Sequence, residues 1–369
     1  MSKTRWAFIH PFQLRLQRGI EIYLWNLASS LAQQGVNVDI LTWAGPLDVP
    51  DYARISGIRL RQVPSVRYFQ AQFAVLYYVY WLLKGNYQHV FVHFAGYGEG
   101  AALRLIRWIR FIPFSVVFHF PPSLVPHRYR EFKRWGLQWD AAHLIGVSQA
   151  TAKEVQQWSG RPCEVIGHGV DSKRFRPDPA LREKVRQELG FGQDTMVLIS
   201  VAAIEERKGI QWVIRAMPEL LKENPDLHYL IVGDGSYRSS LSALVATLAL
   251  ESRVHFLGAK LDVHPYLCTA DIMMVLSRGE ASSISLLEAQ ACGLPSITSI
   301  HPPFDEMMKD LWGVKVDEKN IQQVASAVLR LSDIPGCRIG MGNAAQAWVT
   351  ENHNWPQVAR QYMSLVGTK

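Results

Sequence analysis

Two hydrophobic rhythms alternate along this chain. Short unbroken apolar runs are each followed by a stretch in which apolar residues return every three or four positions. In the first half the runs Trp6–His10, Val36–Leu41, Gly57–Val63, Val90–Phe94, Phe114–Phe120 and Leu144–Val147 read as strands. Between them lie helical patterns. One runs from Gly19 through Ala32, with Ile20, Tyr23, Leu24, Leu27 and Leu31 recurring at helical spacing, and Gly35 ends it. Others span Gly100–Ile109 and, behind the N-cap Ser148, Ala150–Gln157. Strand and helix in alternation predict a parallel sheet with helices on both faces.

The rhythm breaks over residues 160–195. Gly160, Pro162, Gly167, Gly169, Pro177, Pro179 and Gly192 crowd around a charged helix near 180–189. A linker is expected between about 168 and 180. Alternation then resumes, with strands at Met196–Ala202, His228–Val232, Arg253–Phe256, Ile272–Leu276 and Ser296–Ser299. Helices are expected at Ile210–Glu223, Ser239–Leu250, Val263–Cys268, Leu286–Ala291 and Ile321–Leu331. The pattern predicts an α/β chain of two doubly wound, Rossmann-like domains, residues 1–172 and 173–354, facing each other across a cleft.

Length agrees, since 369 residues suffice for two domains that each bury a core. The apolar fraction, 48%, is that of a soluble globular protein. The longest apolar run, Ala71–Leu83, is short of the roughly 20 residues a membrane span needs and reads as a core helix, with an interfacial helix as the minority alternative. The first residues run into a strand with no signal-peptide core, so a cytoplasmic protein is expected. Cys163, Cys268, Cys292 and Cys337 form no CxxC and no recognised metal spacing. Neither a disulfide framework nor a structural zinc is expected from them.

Charge is divided unevenly. Residues 1–160 carry 17 Lys/Arg against 8 Asp/Glu, whereas the remainder carries 22 against 24. Basic residues lie among aromatics in AALRLIRWIRFIPF, with Arg104, Arg107 and Arg110, and in HRYREFKRWGLQW, with Arg128, Arg130, Lys133 and Arg134. An anionic membrane surface or acidic acceptor is one reading, and a solvated basic face over packed helices is the other. No nucleic-acid motif accompanies the charge, so no nucleic-acid partner is expected.

The chemistry concentrates in Arg278–Pro295. Glu280 falls in the loop after the Ile272–Leu276 run. Ser282, Ser283 and Ser285 are good helix openers, and Glu288 sits about one and a half turns into the helix that follows. Between the two carboxylates lie the free N–H groups of a helix N-terminus, a ready diphosphate site. Carboxylates on either side suit a ligand with hydroxyls at both ends and phosphates between them, as in a nucleotide sugar. Taken singly, each glutamate also reads as a solvated loop or helix-dipole residue. A dinucleotide dehydrogenase is disfavoured because the first strand meets His10-Pro11-Phe12-Gln13-Leu14-Arg15-Leu16-Gln17-Arg18-Gly19 rather than GxGxxG, and no Walker A sequence occurs.

These residues, with others in order, resemble the retaining glycosyltransferases of family 4, which have the GT-B fold. The resemblance runs through Gly19, Glu21, Leu27, Ala28, Leu31 and Gly35; His119; Gly169-Val170-Asp171 with Phe175-Arg176-Pro177; Lys208-Gly209; Val232-Gly233-Asp234-Gly235; Val254–Gly258; and the Glu280…Glu288 element closing on Cys292-Gly293-Leu294-Pro295. It implies an N-terminal acceptor-side domain, with a C-terminal helix at about 355–369 packing back on it, and a C-terminal domain that binds the nucleotide sugar. It also implies roles. Glu288 would hold the ribose hydroxyls, Glu280 the transferred sugar, and the N–H groups around Ser282, Ser283 and Ile284 the diphosphate. Lys208 would neutralise the leaving group without a metal, Gly19 and Arg18 would meet the phosphates, His119 would line the sugar site, and Lys260 would approach the base. The implied reaction moves a hexose from a nucleoside diphosphate sugar to a glycan or lipid-linked acceptor, as in surface-polysaccharide assembly, with no cofactor.

The chain departs from the family pattern in three places. The second diphosphate clamp, usually an Arg five or six residues before the Lys, is Ala203 or Ala202 here. Arg207 is adjacent to Lys208, and neighbours in a loop are expected to point apart, so either another cation such as Arg18 or Arg15 replaces the clamp or catalysis is weak. The paired glycines of the N-terminal loop are Arg18-Gly19, and two further glycine positions read Glu280-Ala281-Ser282-Ser283 and Pro302-Pro303. A sugar-nucleotide 2-epimerase on the same fold, or a degenerate transferase acting as a scaffold, are the competing readings.

Overall fold

The computed structural model describes residues 4–15, 19–48, 57–63, 70–93 and 97–367. They divide into two compact units, one comprising the chain up to Gly169 together with the segment from Trp355, the other Val170–Asn354. In the first unit the elements are β1 (Arg5–Arg15), α1 (Gly19–Gln33), β2 (Asn37–Asp48), β3 (Ile58–Val63), α2 (Gln70–Lys84), β4 (His89–Val92), α3 (Tyr97–Ile109), β5 (Phe114–Phe118), α4 (Pro126–Trp135), α5 (Leu137–Asp140), β6 (Leu144–Gly146), α6 (Gln149–Ser159) and β7 (Glu164–Val165). The second holds α7 (Pro179–Leu189), β8 (Met196–Val201), α8 (Ile210–Glu223), β9 (Leu227–Val232), α9 (Arg238–Thr247), β10 (Val254–Gly258), α10 (His264–Thr269), β11 (Ile272–Val275), α11 (Ile284–Ala291), β12 (Ser296–Ser299), α12 (Phe304–Met307), β13 (Gly313–Val316), α13 (Ile321–Asp333) and α14 (Pro335–Asn352). The last helix, α15 (Trp355–Leu365), belongs to the first unit and packs on α1, where Tyr362 Oη lies 2.6 Å from Tyr23 Oη.

Both sheets are parallel. The first runs β3-β2-β1-β4-β5-β6-β7 and the second β10-β9-β8-β11-β12-β13. In each, strand order reverses once, between β1 and β4 and between β8 and β11. Ligands of such sheets bind beyond the carboxyl ends of the strands at that reversal, because the connections leave in opposite directions and open a crevice.

The unbroken apolar runs arise from burial on both faces. Along β8, Met196 and Leu198 point into one core with Ile214, Met217 and Val328 of α8 and α13, whereas Val197 and Ile199 join the opposite core with Leu286 and Leu287 of α11. A period of two on a strand thus sends every second residue to a different helix layer.

A buried ion network fastens α7 to this sheet. Asp271 accepts from Arg182 Nη2 at 2.7 Å, Arg186 Nη2 at 2.8 Å and the Val197 amide at 2.9 Å. Arg186 also donates to the carbonyls of Thr269, Gly192, Gln193 and Thr195. Every charge is met by hydrogen bonds, the condition under which a buried pair is tolerated.

The structure corrects several expectations. β1 continues past His10 to Arg15, with its pairing to β2 shifted after His10. The short strand β13 and the charged helix α4 fall where the apolar pattern is too sparse to announce them. The segment Ala71–Leu83, expected in the core, forms α2 but buries only one side. Ala74, Tyr78 and Leu82 enter the core, whereas Phe73, Leu76, Tyr80 and Leu83 are exposed. A helix apolar all round has no polar face to mark which side meets solvent, so its periodicity is uninformative.

Candidate active site

In the second unit the chemistry gathers beyond β8 and β11, where strand order reverses. β11 leads through Leu276 and Ser277 to Gly279, whose φ of +75° turns the chain so that Glu280 follows. From the β8 side, a single 3-10 turn, Glu206–Lys208, brings up two cations. This turn ends at Gly209, φ +71°, where any Cβ would stand 1.9 Å from the Leu276 carbonyl. Only glycine permits so close an approach, which explains the Lys-Gly pair physically.

Lys208 Nζ donates to Glu280 Oε1, and Ser277 Oγ donates to the same oxygen at 2.8 Å. Arg207 Nη1 donates to the Gly279 carbonyl at 3.1 Å and stands 3.9 Å from Glu280 Oε1, while its Nε donates to Glu205 at 2.8 Å. The two neighbours therefore face one carboxylate, contrary to the expectation that they point apart. The tight 3-10 turn, held by the Arg278 amide on the Arg207 carbonyl at 2.7 Å, presents both towards the end of β11. The Glu280 and Lys208 side chains are only 8% and 16% exposed, so their attraction is little screened.

α11 begins at Ile284, with Ser283 Oγ accepting the Leu286 amide at 3.3 Å as its N-cap. No acidic residue lies in its first turn, so the positive end of the helix dipole is left for an anion at Ser282, Ser283 and Ile284. One turn further, Glu288 is buried. Burial pushes its carboxyl up to about 8, with Arg174 acting to lower it and Asp262 to raise it. Arg174 Nη2 and Asp262 Oδ1 are themselves paired at 2.8 Å.

A third carboxylate went unnoticed in the sequence. Glu318, just past β13, is buried, bonded by Arg278 Nε and 3.3 Å from His301 Nε2 past β12. Burial raises its carboxyl, and the hydrogen bond and charge of Arg278 more than reverse that, leaving it below the usual range. The signal available was Arg278, the residue beside the Gly279-Glu280 turn. Lys260, past β10, lies with its Nζ 5.5 Å from the Tyr266 ring centre.

The other candidates belong to the first unit. Gly19 is the first residue of α1. Arg18 lies outside the described residues, as does Phe94. His119 follows β5, and its Nε2 lies 2.9 Å from His93 Nδ1 beyond β4. Tyr23 packs edge-on to His119 and close to His93 and His168. Burial above all, and then neighbouring histidines, hold His93 and His119 well below the ordinary imidazole range. His10 and Glu21 complete the group, 3.6 Å apart.

Residues 17–174 match the family model of Glycosyltransferase Family 4, and residues 182–348 that of Glycosyl transferases group 1. The chain is 32% identical over 256 residues to a GDP-mannose-dependent monoacylated alpha-(1-6)-phosphatidylinositol monomannoside mannosyltransferase of Corynebacterium glutamicum, with 66% of each protein covered. It is 32% identical over 246 residues to the GDP-mannose-dependent alpha-(1-6)-phosphatidylinositol monomannoside mannosyltransferase of Mycolicibacterium smegmatis, covering 63% of each. These matches span a little under two thirds of those relatives. Among solved structures, sucrose-phosphate synthase of Thermosynechococcus elongatus superposes with a TM-score of 0.83 at 20% identity, covering 98% of both chains. Anabaena Alr3699/HepE, solved with UDP and glucose, superposes with a TM-score of 0.84 at 18% identity over 99% of this chain and 100% of that one. The fold is GT-B.

Proposed function

The chain belongs to the family 4 glycosyltransferases, and on that premise we propose that it transfers a hexose from a nucleoside diphosphate sugar to a lipid-linked acceptor, with retention of configuration. GDP-mannose is the donor proposed, since two relatives at 32% identity are named for it. The observation that carries the reading is the shielded Lys208–Glu280 pair beside the uncompensated N-terminus of α11, with the buried Glu288 one turn beyond.

Each residue has a task that follows from its surroundings. The α11 amides take the diphosphate, and Glu288, losing its proton as the donor arrives, accepts from the ribose hydroxyls. Glu280 holds hydroxyls of the sugar. As the bond from the anomeric carbon to phosphate breaks, negative charge grows on the leaving diphosphate, and Lys208 stabilises it where it appears. Arg207 supplies the second cation in place of the missing Arg at 202 or 203. The acceptor oxygen bonds to the same face of the anomeric carbon, and its proton passes to the departing phosphate oxygen. No metal is assigned to this step, and His119 is assigned to the sugar site.

A membrane-borne acceptor is supported by α2 and α3. These adjacent helices expose Phe73, Leu76, Tyr80 and Leu83, then Leu105, Trp108 and Ile109, followed by Phe111. Trp108 and Phe111 are 87% and 76% exposed. Lys84, Arg104, Arg107 and Arg110 lie on or just beyond the same helices, the composition of a surface that settles on anionic lipid. Among the described residues no helix is long and apolar enough to cross a membrane.

The test is release of nucleoside diphosphate from a panel of UDP-, GDP- and ADP-sugars, with and without lipid acceptors, using the wild type and the Lys208→Ala, Glu288→Ala and Arg207→Ala variants. Acceptor-dependent release from one donor, lost in the first two variants, is expected. Conversion of the donor sugar without any acceptor, or donor binding without turnover across all acceptors, would overturn the proposal.

A further inference from the structure

Two cysteines and one histidine carried by α10 and the end of α11 converge on one point. His264 opens α10 and Cys268 follows four residues later, a spacing that sets both side chains on one helix face. Cys292 caps the C-terminus of α11. His264 Nε2 and the two Sγ atoms all lie within 4.8 Å of one another. His264 Nε2 and Cys268 Sγ are 3.2 Å apart. The Arg176 carbonyl oxygen joins them, 2.8 Å from His264 Nε2 and 3.5 Å from Cys268 Sγ.

We propose that His264, Cys268 and Cys292, with the Arg176 carbonyl as a fourth donor, form a binding site for a thiophilic divalent cation, for which Zn2+ is the natural probe. Two sulfurs and an imidazole are the ligand set that borderline-soft ions prefer over hard ones. Ligand atoms on one tetrahedral zinc stand about 3.6 Å apart for nitrogen and sulfur and about 3.8 Å for two sulfurs. Around an ion the His264–Cys268 pair opens by a few tenths of an ångström, and Cys292, within 4.8 Å of both, closes in. Both cysteines are buried, which favours a held ion over open thiol chemistry. Spacing along the chain excluded such a set, because Cys268 and Cys292 arrive from different helices.

The site does not depend on the transferase reading, and the ion plays no part in the transfer step. Its consequence is mechanical. It joins α10, the end of α11, which carries Glu288, and the Arg176 carbonyl, and so braces the second unit.

The experiment uses the full reduced chain, stripped with a chelator. Zn2+ is titrated against a chromophoric competitor, and Co2+ is added to a second sample to read thiolate-to-cobalt charge transfer and tetrahedral d–d bands. One equivalent per chain is expected, with affinity weakened by at least about tenfold in each of Cys268→Ser, Cys292→Ser and His264→Ala. Cys163→Ser and Cys337→Ser should bind as the wild type does. Because a variant can fail for lack of folding, alkylation of the wild type is followed by mass spectrometry. Zn2+ should protect Cys268 and Cys292 and leave the other two unchanged. Sub-stoichiometric binding, a cobalt spectrum without thiolate bands, or unchanged affinity in Cys292→Ser would overturn the proposal, as would alkylation of Cys268 and Cys292 that Zn2+ does not slow.

Discussion

The two units share a sheet architecture yet treat polar groups at the ends of their strands in opposite ways. In the second unit they are charged and matched. Glu280 meets Lys208 and Arg207, Glu318 meets Arg278 and His301, and Asp271 meets Arg182 and Arg186. In the first unit, beyond β4 and β5, two buried imidazoles are instead held neutral, His93 against His119, packed around Tyr23. Among the described residues, fixed cations beside a helix terminus free of acidic residues, an arrangement suited to a diphosphate, are found in the second unit. The neutral histidines of the first unit can donate or accept a hydrogen bond without adding charge, which suits contact with sugar hydroxyls.

The comparison can be broken by removing charge where it is matched. Asp271→Ala leaves Arg186 buried without its carboxylate and should destabilise the second unit by about 3–5 kcal/mol, read as a shift of the denaturant midpoint. A loss below about 1 kcal/mol would mean the network is solvated rather than structural. Next in size, Lys208→Ala should lower transfer by about 100- to 1000-fold with the unfolding midpoint little changed. Comparable loss of donor affinity with an unaltered rate would instead place Lys208 in ground-state binding.

Two pH experiments sharpen the contrast, because the units should respond in opposite directions. Folded Glu288 holds its proton up to about 8, whereas in the unfolded chain it ionises near the ordinary value of 4.5. Between these values the folded state binds more protons, so stability falls as pH rises, by up to about 1.4 kcal/mol per pH unit. Glu288→Gln should flatten that slope, and donor affinity in the wild type should improve towards pH 8 as the carboxylate forms more readily. A slope unchanged in the Gln variant would assign it elsewhere. For His93 and His119 the sign reverses. The unfolded imidazoles take up protons near pH 6.5 and the folded ones do not, so the first unit should lose about 1–2 kcal/mol between pH 6.5 and 5.5. His119→Gln should halve this loss in an acid titration followed by the near-ultraviolet signal of Tyr23 and Trp355. An equal loss in the variant would mean that the histidine pair is not its source.

Much of the sheet was legible because burial on both faces leaves continuous apolar runs. Ile272–Leu276 and Met196–Ala202 both became strands within a residue or two at each end. Elements without that mark were lost. Gly313–Val316 contains Gly313 and Lys315, and α4 is dominated by Arg and Lys, so neither shows an apolar period. Glu280 and Glu288 were legible because one strand, one loop and one helix carry them both, and local spacing sets their separation. Arg207 was misjudged because the direction of its side chain depends on a 3-10 turn whose Gly209 is seated against Leu276, 67 positions away.

What this sequence determined by itself was which segments are strands and helices, that they form two parallel α/β units, and that the Glu280–Glu288 stretch frames a helix N-terminus. These follow from periodicity and short-range spacing, which act within one element and its neighbour. What only the tertiary structure decided was the convergence of Arg207 and Lys208 on Glu280, the Arg278–Glu318–His301 group, the meeting of His264 and Cys268 with Cys292, the pairing of His93 with His119, and the exposed face of α2. Each joins residues far apart in the chain or selects one side of a uniformly apolar helix. Strand order and close packing settle such choices, and no local pattern of residues encodes them.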